Sequence, residues 1–259
     1  MTSSSPHHQL PYSIRFDWGL SGAEAIAMGS DVAVVVDVLS FTTTLSVALD
    51  VGATVVPWTV RDDSAATYAR RHDADLAVRR SEAVAGDVSL SPATLRIGRP
   101  PTRLVLPSPN GSTISAYLAS GTSVCVGASL RNAPAVASWI KENRPPTDVV
   151  SVVAAGERWP DDGLRPSIED LWGAGFVIAE LDRLCSGRTL SPEARMARDA
   201  WTAVRTRVPA ELAESASGRE LIDTGYRVDV DIAGEVNSSS TVPVLESGEF
   251  TDAAAVPGV

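Results

Sequence analysis

The sequence predicts an α/β protein: three layers, α/β/α, around a mostly parallel or mixed sheet, with extra helices toward the carboxyl terminus. Three observations carry that expectation. Short aliphatic runs alternate with helical stretches of about ten residues; 44 % of the 259 residues are hydrophobic, enough for a substantial core; and the last third turns to consecutive helical patterns.

Residues 12–18 (YSIRFDW) and 31–39 (DVAVVVDVL) read as strands, with a short helix over 21–29 between them. Residues 42–52 read as a helix closed by Gly52, followed by a strand over 53–58 and a helix over 61–72. Further strands are expected at 74–78, 102–107, 122–127 and 147–155, with helices over 112–120 and 132–143 between the last three. Short apolar runs spaced in this way suit a sheet covered on both faces. Helices over 191–208, 210–215 and 217–225 should pack on that sheet. The reading is one α/β domain over residues 13–246, a disordered leader over 1–12 and a flexible tail over 247–259.

A formal charge of −10 and a pI near 4.8 oppose non-specific attraction to nucleic acid or an anionic membrane. An anionic ligand would need a local arrangement that overrides this field. Lys141 is the only lysine and follows no glycine-rich loop, which excludes a Walker-type nucleotide site. Two cysteines, Cys125 and Cys185, make no disulfide framework, and with no signal-like start the expected location is the cytoplasm. His7 and His8 fall in the polar leader, leaving His72 alone, so histidine triads and zinc sites are excluded. A homodimer is compatible with this composition.

Ligands bind outside the carboxyl ends of strands in an open α/β sheet. Four expected strands end in polar loops: Asp37, Ser40, Thr42 and Thr43; Ser108, Asn110, Gly111, Ser112 and Thr113; Ser129, Arg131 and Asn132; and Glu157 and Arg158, with Glu169 and Asp170 opening the next helix. Each has a plain structural reading. Thr42, Ser112 and Asn132 suit helix N-caps, Asn110-Gly111 suits a turn, and Ser167 with Asp170 suits a capping box. Four such loops at one rim suit metal-assisted work on a phosphorylated substrate: helix starts receive phosphate oxygens, and carboxylates offer hard ligands to Mg²⁺. Hydrolysis of a phosphate monoester can require up to about 29 kcal/mol of barrier lowering, whereas a helix terminus offers ~2 kcal/mol. A cation and a guanidinium must supply much of the difference.

These loops, in this order, resemble the 2-phosphosulfolactate phosphatase family, Mg²⁺-dependent enzymes of coenzyme M biosynthesis. The likeness lies in "VVVDVLSFTTT", "LSPATL", "SPNGST", "AAGERWPDDGLRPSIEDLWGAG" and "SGRELIDTGYRVDVDIA", and covers about residues 30 to 245. It implies Asp37, Glu169 and Asp170 as metal ligands and catalytic acids, and Thr42, Thr43, Asn110, Gly111 and Ser112 around the anion, with Ser91 and Glu157 beside them. The substrate implied is 2-phosphosulfolactate or a related small 2-phospho acid. Two departures stand out. The family usually has Arg where this chain has Ser40, and Gly-Glu-Arg where it reads "AVRRSE". Arg79 or Arg80 is a candidate replacement for the basic partner, and Arg131 or Arg158 for the guanidinium missing at position 40, with Arg158 taken as catalytic.

Two other readings stay open. Cys125 precedes Arg131 with C-x₅-R spacing, as in thiol phosphatases, although Cys125 also suits a buried strand end. A non-catalytic anion-binding homologue would keep the cradle without the chemistry.

Overall fold

The computed structural model describes residues 5–122 and 124–255. In chain order the elements are β1 (Ile14–Trp18), α1 (Gly19–Ile26), β2 (Val32–Val36), α2 (Phe41–Asp50), β3 (Thr54–Trp58), α3 (Asp63–Arg71), β4 (Asp75–Leu76), α4 (Pro92–Ile97), β5 (Arg103–Pro107), α5 (Gly111–Gly121) and β6 (Val124–Ala128). There follow α6 (Ala133–Asn143), β7 (Val150–Ala154), β8 (Glu157–Arg158), β9 (Leu164–Arg165), α7 (Ile168–Leu184), α8 (Pro192–Val204), α9 (Val208–Glu214), α10 (Ala216–Asp223), α11 (Arg227–Ala233), β10 (Pro243–Glu246) and β11 (Glu249–Asp252).

Among the described residues nine strands form one mixed sheet in the order β1-β7-β2-β6-β10-β11-β3-β5-β4. β2 lies between β7 and β6, parallel to both, and all five of its residues are buried. Alternation sorts its side chains. Val32, Val34 and Val36 pack with Val136 and Ile140 of α6 and Val177 and Ile178 of α7, while Ala33 and Val35 pack with Ala23 and Ile26 of α1 and Ile114 and Leu118 of α5. That two-sided burial is why β2 reads as a continuous aliphatic run. It also explains Asp37, which comes where the strand leaves the core.

The β10–β11 hairpin joins two parallel blocks, β1-β7-β2-β6 and β3-β5-β4, and pairs antiparallel with both. Contact with the blocks is short: Val244 and Leu245 oppose Val126 and Cys125, and Phe250 opposes Val55. The loops after β2 and β5 nevertheless meet, the Gly111 N–H reaching Asp37, although their blocks run in opposite senses.

Both expected chain ends need correction. The stretch expected as a tail, 247–259, contributes β11 to the sheet in its described part, and Phe250 is fully buried against Phe41, with ring centroids 6.2 Å apart. Ser247 and Gly248, with φ of 53° and 87°, form the left-handed turn that matches strand twist in a two-residue hairpin. The leader, expected disordered over 1–12, carries a 3-10 turn at Pro6–His8, and buried Gln9 bonds the Phe16 backbone in both directions, at 2.9 and 3.2 Å. Residues 1–4 and 256–259 lie outside the described residues. Helices α4 and α11 also escaped the pattern reading, both being shorter than two full periods. No helix among the described residues is long and apolar enough to cross a membrane.

Phe250→Ala should lower unfolding free energy by about 3–5 kcal/mol, the usual cost of emptying a buried aromatic site. A urea midpoint unchanged from the parent would show that the hairpin does not close the sheet.

Candidate active site

Asp37 follows β2 directly, and its carboxylate joins two helix starts. Oδ1 accepts the Phe41 N–H at 3.1 Å and Oδ2 the Gly111 N–H at 3.0 Å, so α2 and α5 are held to one group. Gly111 must be glycine here. A Cβ at that position would fall 2.3 Å from the Phe41 ring and 2.8 Å from Asp37 Oδ2. Asp170, in the first turn of α7, binds the neighbouring backbone in the same way. Its Oδ1 accepts the Val38 N–H at 2.7 Å and its Oδ2 the Gly156 N–H at 2.9 Å.

Glu169 and Asp170 are consecutive on α7, so their side chains diverge. Glu169 turns toward the hydroxyls of Ser217 and Ser215 at the start of α10. Glu157, on β8, accepts from Asn110 Nδ2 at 3.0 Å. Among the described residues no three Asp, Glu, His or Cys side chains converge as ligands of one ion. This corrects the expectation of a three-acid set. What the structure brings together is Asp37 and Asp170 on adjoining backbone, with Glu169 and Glu157 within electrostatic reach.

That proximity registers in their acidities. Burial, with a smaller push from the Glu169 charge, raises the Asp37 pKa to about 6 against the amide hydrogen bonds and the Arg80 charge that lower it. Burial, then the charges of Asp37 and Glu169, bring Glu157 to about 7. Glu169 is raised chiefly by burial, and Asp170 well above its ordinary value by burial and then by Asp37 and Glu169. Four carboxyl groups thus crowd one wall, where protons or a cation must offset them.

The cations beside them were only partly legible. Arg80 donates Nε to Asp229 Oδ2 at 3.0 Å and Nη2 to Ser40 Oγ, and it lies over the Tyr226 ring. Ser91 also donates to Asp229, so its hydroxyl anchors Arg80's partner rather than reaching a substrate itself. Arg80 therefore brings its guanidinium to the side chain at position 40. Arg165, on β9, was not singled out from sequence. It donates to Ser217 Oγ at 3.3 Å, lies over Trp159 and takes part in no ion pair among the described residues. Its position inside "GLRPSIED", four residues before Glu169, was the available signal. Both arginines line a cleft of about 1060 Å³ with Leu39, Ser108, Glu157 and Ser217.

Several expected binding residues have other work. Thr42 Oγ1 donates to the Asp37 carbonyl at 2.7 Å, Thr43 Oγ1 to the Val38 carbonyl at 2.8 Å and Ser112 Oγ to the Leu106 carbonyl at 3.1 Å. Each hydroxyl has one proton, and it is committed to the backbone. These three shape the loops instead of donating to an anion. Arg131 is fully buried and bound to Ser46 at 3.1 Å, to Asp50 at 2.7 Å and to Glu235, so it ties the far end of α2 to the segment after α11. Arg158 is exposed at the rim, paired with Asp162 at 2.8 Å and reaching Asn110 Oδ1 at 3.4 Å. The thiol reading fails on the same geometry: burial pushes the Cys125 thiol up to about 12, and Arg131 is occupied elsewhere.

A buried carboxylate cluster at the strand ends, one of whose members, Glu157, lines a cleft together with Arg80 and Arg165, suits an α/β enzyme that handles a phosphorylated anion. The family model for 2-phosphosulpholactate phosphatase matches residues 23–248, and the chain belongs to that family. It is 31 % identical over 228 residues to a probable 2-phosphosulfolactate phosphatase of Thermus thermophilus, covering 83 % of this chain and 88 % of the relative. To the 2-phosphosulfolactate phosphatase of Methanothermobacter thermautotrophicus it is 31 % identical over 227 residues, covering 86 % and 90 %. A probable 2-phosphosulfolactate phosphatase of Deinococcus radiodurans is 32 % identical over 232 residues, covering 87 % and 92 %.

Gly111→Ala should separate Asp37 from the start of α5, lowering kcat at least tenfold and the melting temperature by several degrees. Full activity with an unchanged melting temperature would show that the Asp37–Gly111 junction is dispensable.

Proposed function

We propose that the protein is a Mg²⁺-dependent phosphatase acting on 2-phosphosulfolactate or a related small 2-phospho acid. The observation that carries the reading is the cluster of four raised carboxyl groups, Asp37, Glu157, Glu169 and Asp170, of which Glu157 lines one cleft with Arg80 and Arg165, in a chain of net charge −10. Both signs converge where a metal phosphoester would sit.

The donor set fits a hard divalent cation. It is oxygen only, and Mg²⁺ usually takes one or two carboxylates and fills its other positions with water and phosphate oxygens. Asp37 and Asp170 would hold it. Ser167 Oγ, at the head of α7, is buried without a partner among the described residues, which adds one unused polar atom to this region. A bound divalent cation would supply charge neutralisation on the phosphoryl oxygens.

The protein's own groups account for the rest. Arg80, held by Asp229, and Arg165, held by Ser217, receive the anionic groups, and the Ser40 hydroxyl is free to donate beside Arg80. Asn110 orients Glu157. With a pKa of about 7, Glu157 is half protonated near neutrality and suits proton donation to the leaving alkoxide as the P–O bond breaks. Water oxygen adds to phosphorus, and one of its protons restores Glu157. Two free cysteines fit a reducing, cytoplasmic setting.

Hydrolysis of 2-phosphosulfolactate should vanish with EDTA, return with Mg²⁺ and be lost in Asp37→Asn. Retained turnover under chelation would overturn the metal reading, whereas phosphate binding without any turnover would favour the non-catalytic homologue. Glu157→Gln should slow an alkyl phosphoester by roughly 10²-fold while sparing p-nitrophenyl phosphate, whose leaving group needs no proton. The parent's activity should fall as pH rises through about 7 and Glu157 loses its proton; in Glu157→Gln that limb should be absent. Equal losses on both substrates would remove Glu157 from proton transfer.

A further inference from the structure

We infer that Arg79 selects for a third anionic group on the substrate, a sulfonate or carboxylate carried on the carbon next to the phosphoester carbon. The inference rests on the phosphatase reading and assigns a specificity-determining residue to that same site. Arg80 and Arg165 receive the phosphoryl and carboxylate groups of a 2-phospho acid, so any further anion needs a cation of its own. The cleft that holds these two is also lined by Arg61, Arg79 and Arg158.

Their partners separate these three. Arg158 pairs with Asp162 at 2.8 Å and reaches Asn110. Arg61, in the loop after β3, donates Nη1 to Glu82 Oε2 in a close ion pair. Arg79 has only the other oxygen of that same carboxylate, at 3.7 Å, which is beyond hydrogen-bond range. Two guanidinium groups therefore share one carboxylate, and the cluster carries one positive charge in excess. Glu220 also lines the cleft, but it enters from α10 and does not pair with Arg79. The Arg79 side chain is 70 % exposed, so an incoming anion displaces only water from its donors. Its place in the chain brings those donors to the substrate. Arg79 caps the 3-10 turn Arg80–Glu82, and Arg80, the next residue, is fixed on Asp229 and Ser40. A small molecule whose phosphoryl group lies on Arg80 thus presents an anion on its next carbon to the neighbouring guanidinium. The planar fork of Arg79 matches two oxygens of a sulfonate or carboxylate, whereas a methyl group in that place offers no acceptor.

The test compares 2-phosphosulfolactate with O-phospho-lactate, which lacks the sulfonate, on the full chain with Mg²⁺. Arg79→Ala should lower kcat/KM for 2-phosphosulfolactate at least tenfold, carried by KM, as the loss of a charge-assisted contact gives. It should leave O-phospho-lactate within about twofold of the parent, since that compound has nothing for Arg79 to hold. Arg79→Lys, which keeps the charge without the fork, should lose less on 2-phosphosulfolactate than Arg79→Ala. Arg205→Ala, on an exposed residue at the end of α8, should change neither compound. Equal losses on both compounds in Arg79→Ala, or no loss on either, would overturn the inference and leave the phosphatase reading standing. If the parent hydrolyses neither compound, the phosphatase reading fails, and calorimetric affinities then decide the role of Arg79. Weaker binding of 2-phosphosulfolactate alone in Arg79→Ala supports it, and affinities unchanged from the parent remove it.

Discussion

Two carboxylates, Asp37 and Asp170, each hold two backbone N–H groups, and the meeting of strand ends and helix starts depends on those four hydrogen bonds. Asp37 ties β2 to the beginnings of α2 and α5. Asp170 ties the same strand end to the turn after β7, where Gly156 has a φ of 65° and so presents its N–H to the carboxylate. A buried charge without partners costs several kcal/mol, and a charge-assisted hydrogen bond returns about 1.5–3 kcal/mol. Two amides per carboxylate go far toward offsetting burial. They do not complete the compensation, since all four acids keep raised pKa values.

The residual imbalance makes the site responsive. A carboxyl group with a raised folded-state pKa binds its proton more tightly in the native protein than in the unfolded chain. The native state therefore loses stability as pH rises from the ordinary carboxylate range through the raised values, about 6 for Asp37 and about 7 for Glu157. A cation bound by the ionised forms would restore that stability at the high end. Stability and ligand binding would thus be coupled through the same side chains, with Arg80 and Arg165 biasing the site toward an anion once the acids are neutralised.

Much of this was legible in the sequence because the determinants are local. Val32, Val34 and Val36 alternate with Ala33 and Val35 in a strand buried on both faces, and Asp37 breaks that run where the chain leaves the core. Asn110-Gly111 and Glu169-Asp170 stood out as polar pairs at element ends. What escaped depends on distant partners. The β10–β11 hairpin is stabilised by Phe41 and Val55 from the other end of the chain, and nothing within residues 243–252 announces them. Thr42, Thr43 and Ser112 look like phosphate donors until the carbonyls of Asp37, Val38 and Leu106 are seen to take their protons. Arg131 keeps the spacing of a thiol-phosphatase arginine, yet Asp50 and Glu235 claim it. Arg80 is brought to Ser40 by a contact between residues 40 positions apart, which spacing alone cannot specify.

The claim beneath the functional account is that these crowded carboxyls carry protons which a divalent cation displaces. Calorimetric titration of the metal-free protein with Mg²⁺ at pH 6, in buffers of different ionisation enthalpy, counts those protons directly. About one proton released per ion at pH 6, falling toward zero by pH 9, is the expected result. Binding with no proton release at pH 6, or no binding at either pH, would contradict the account.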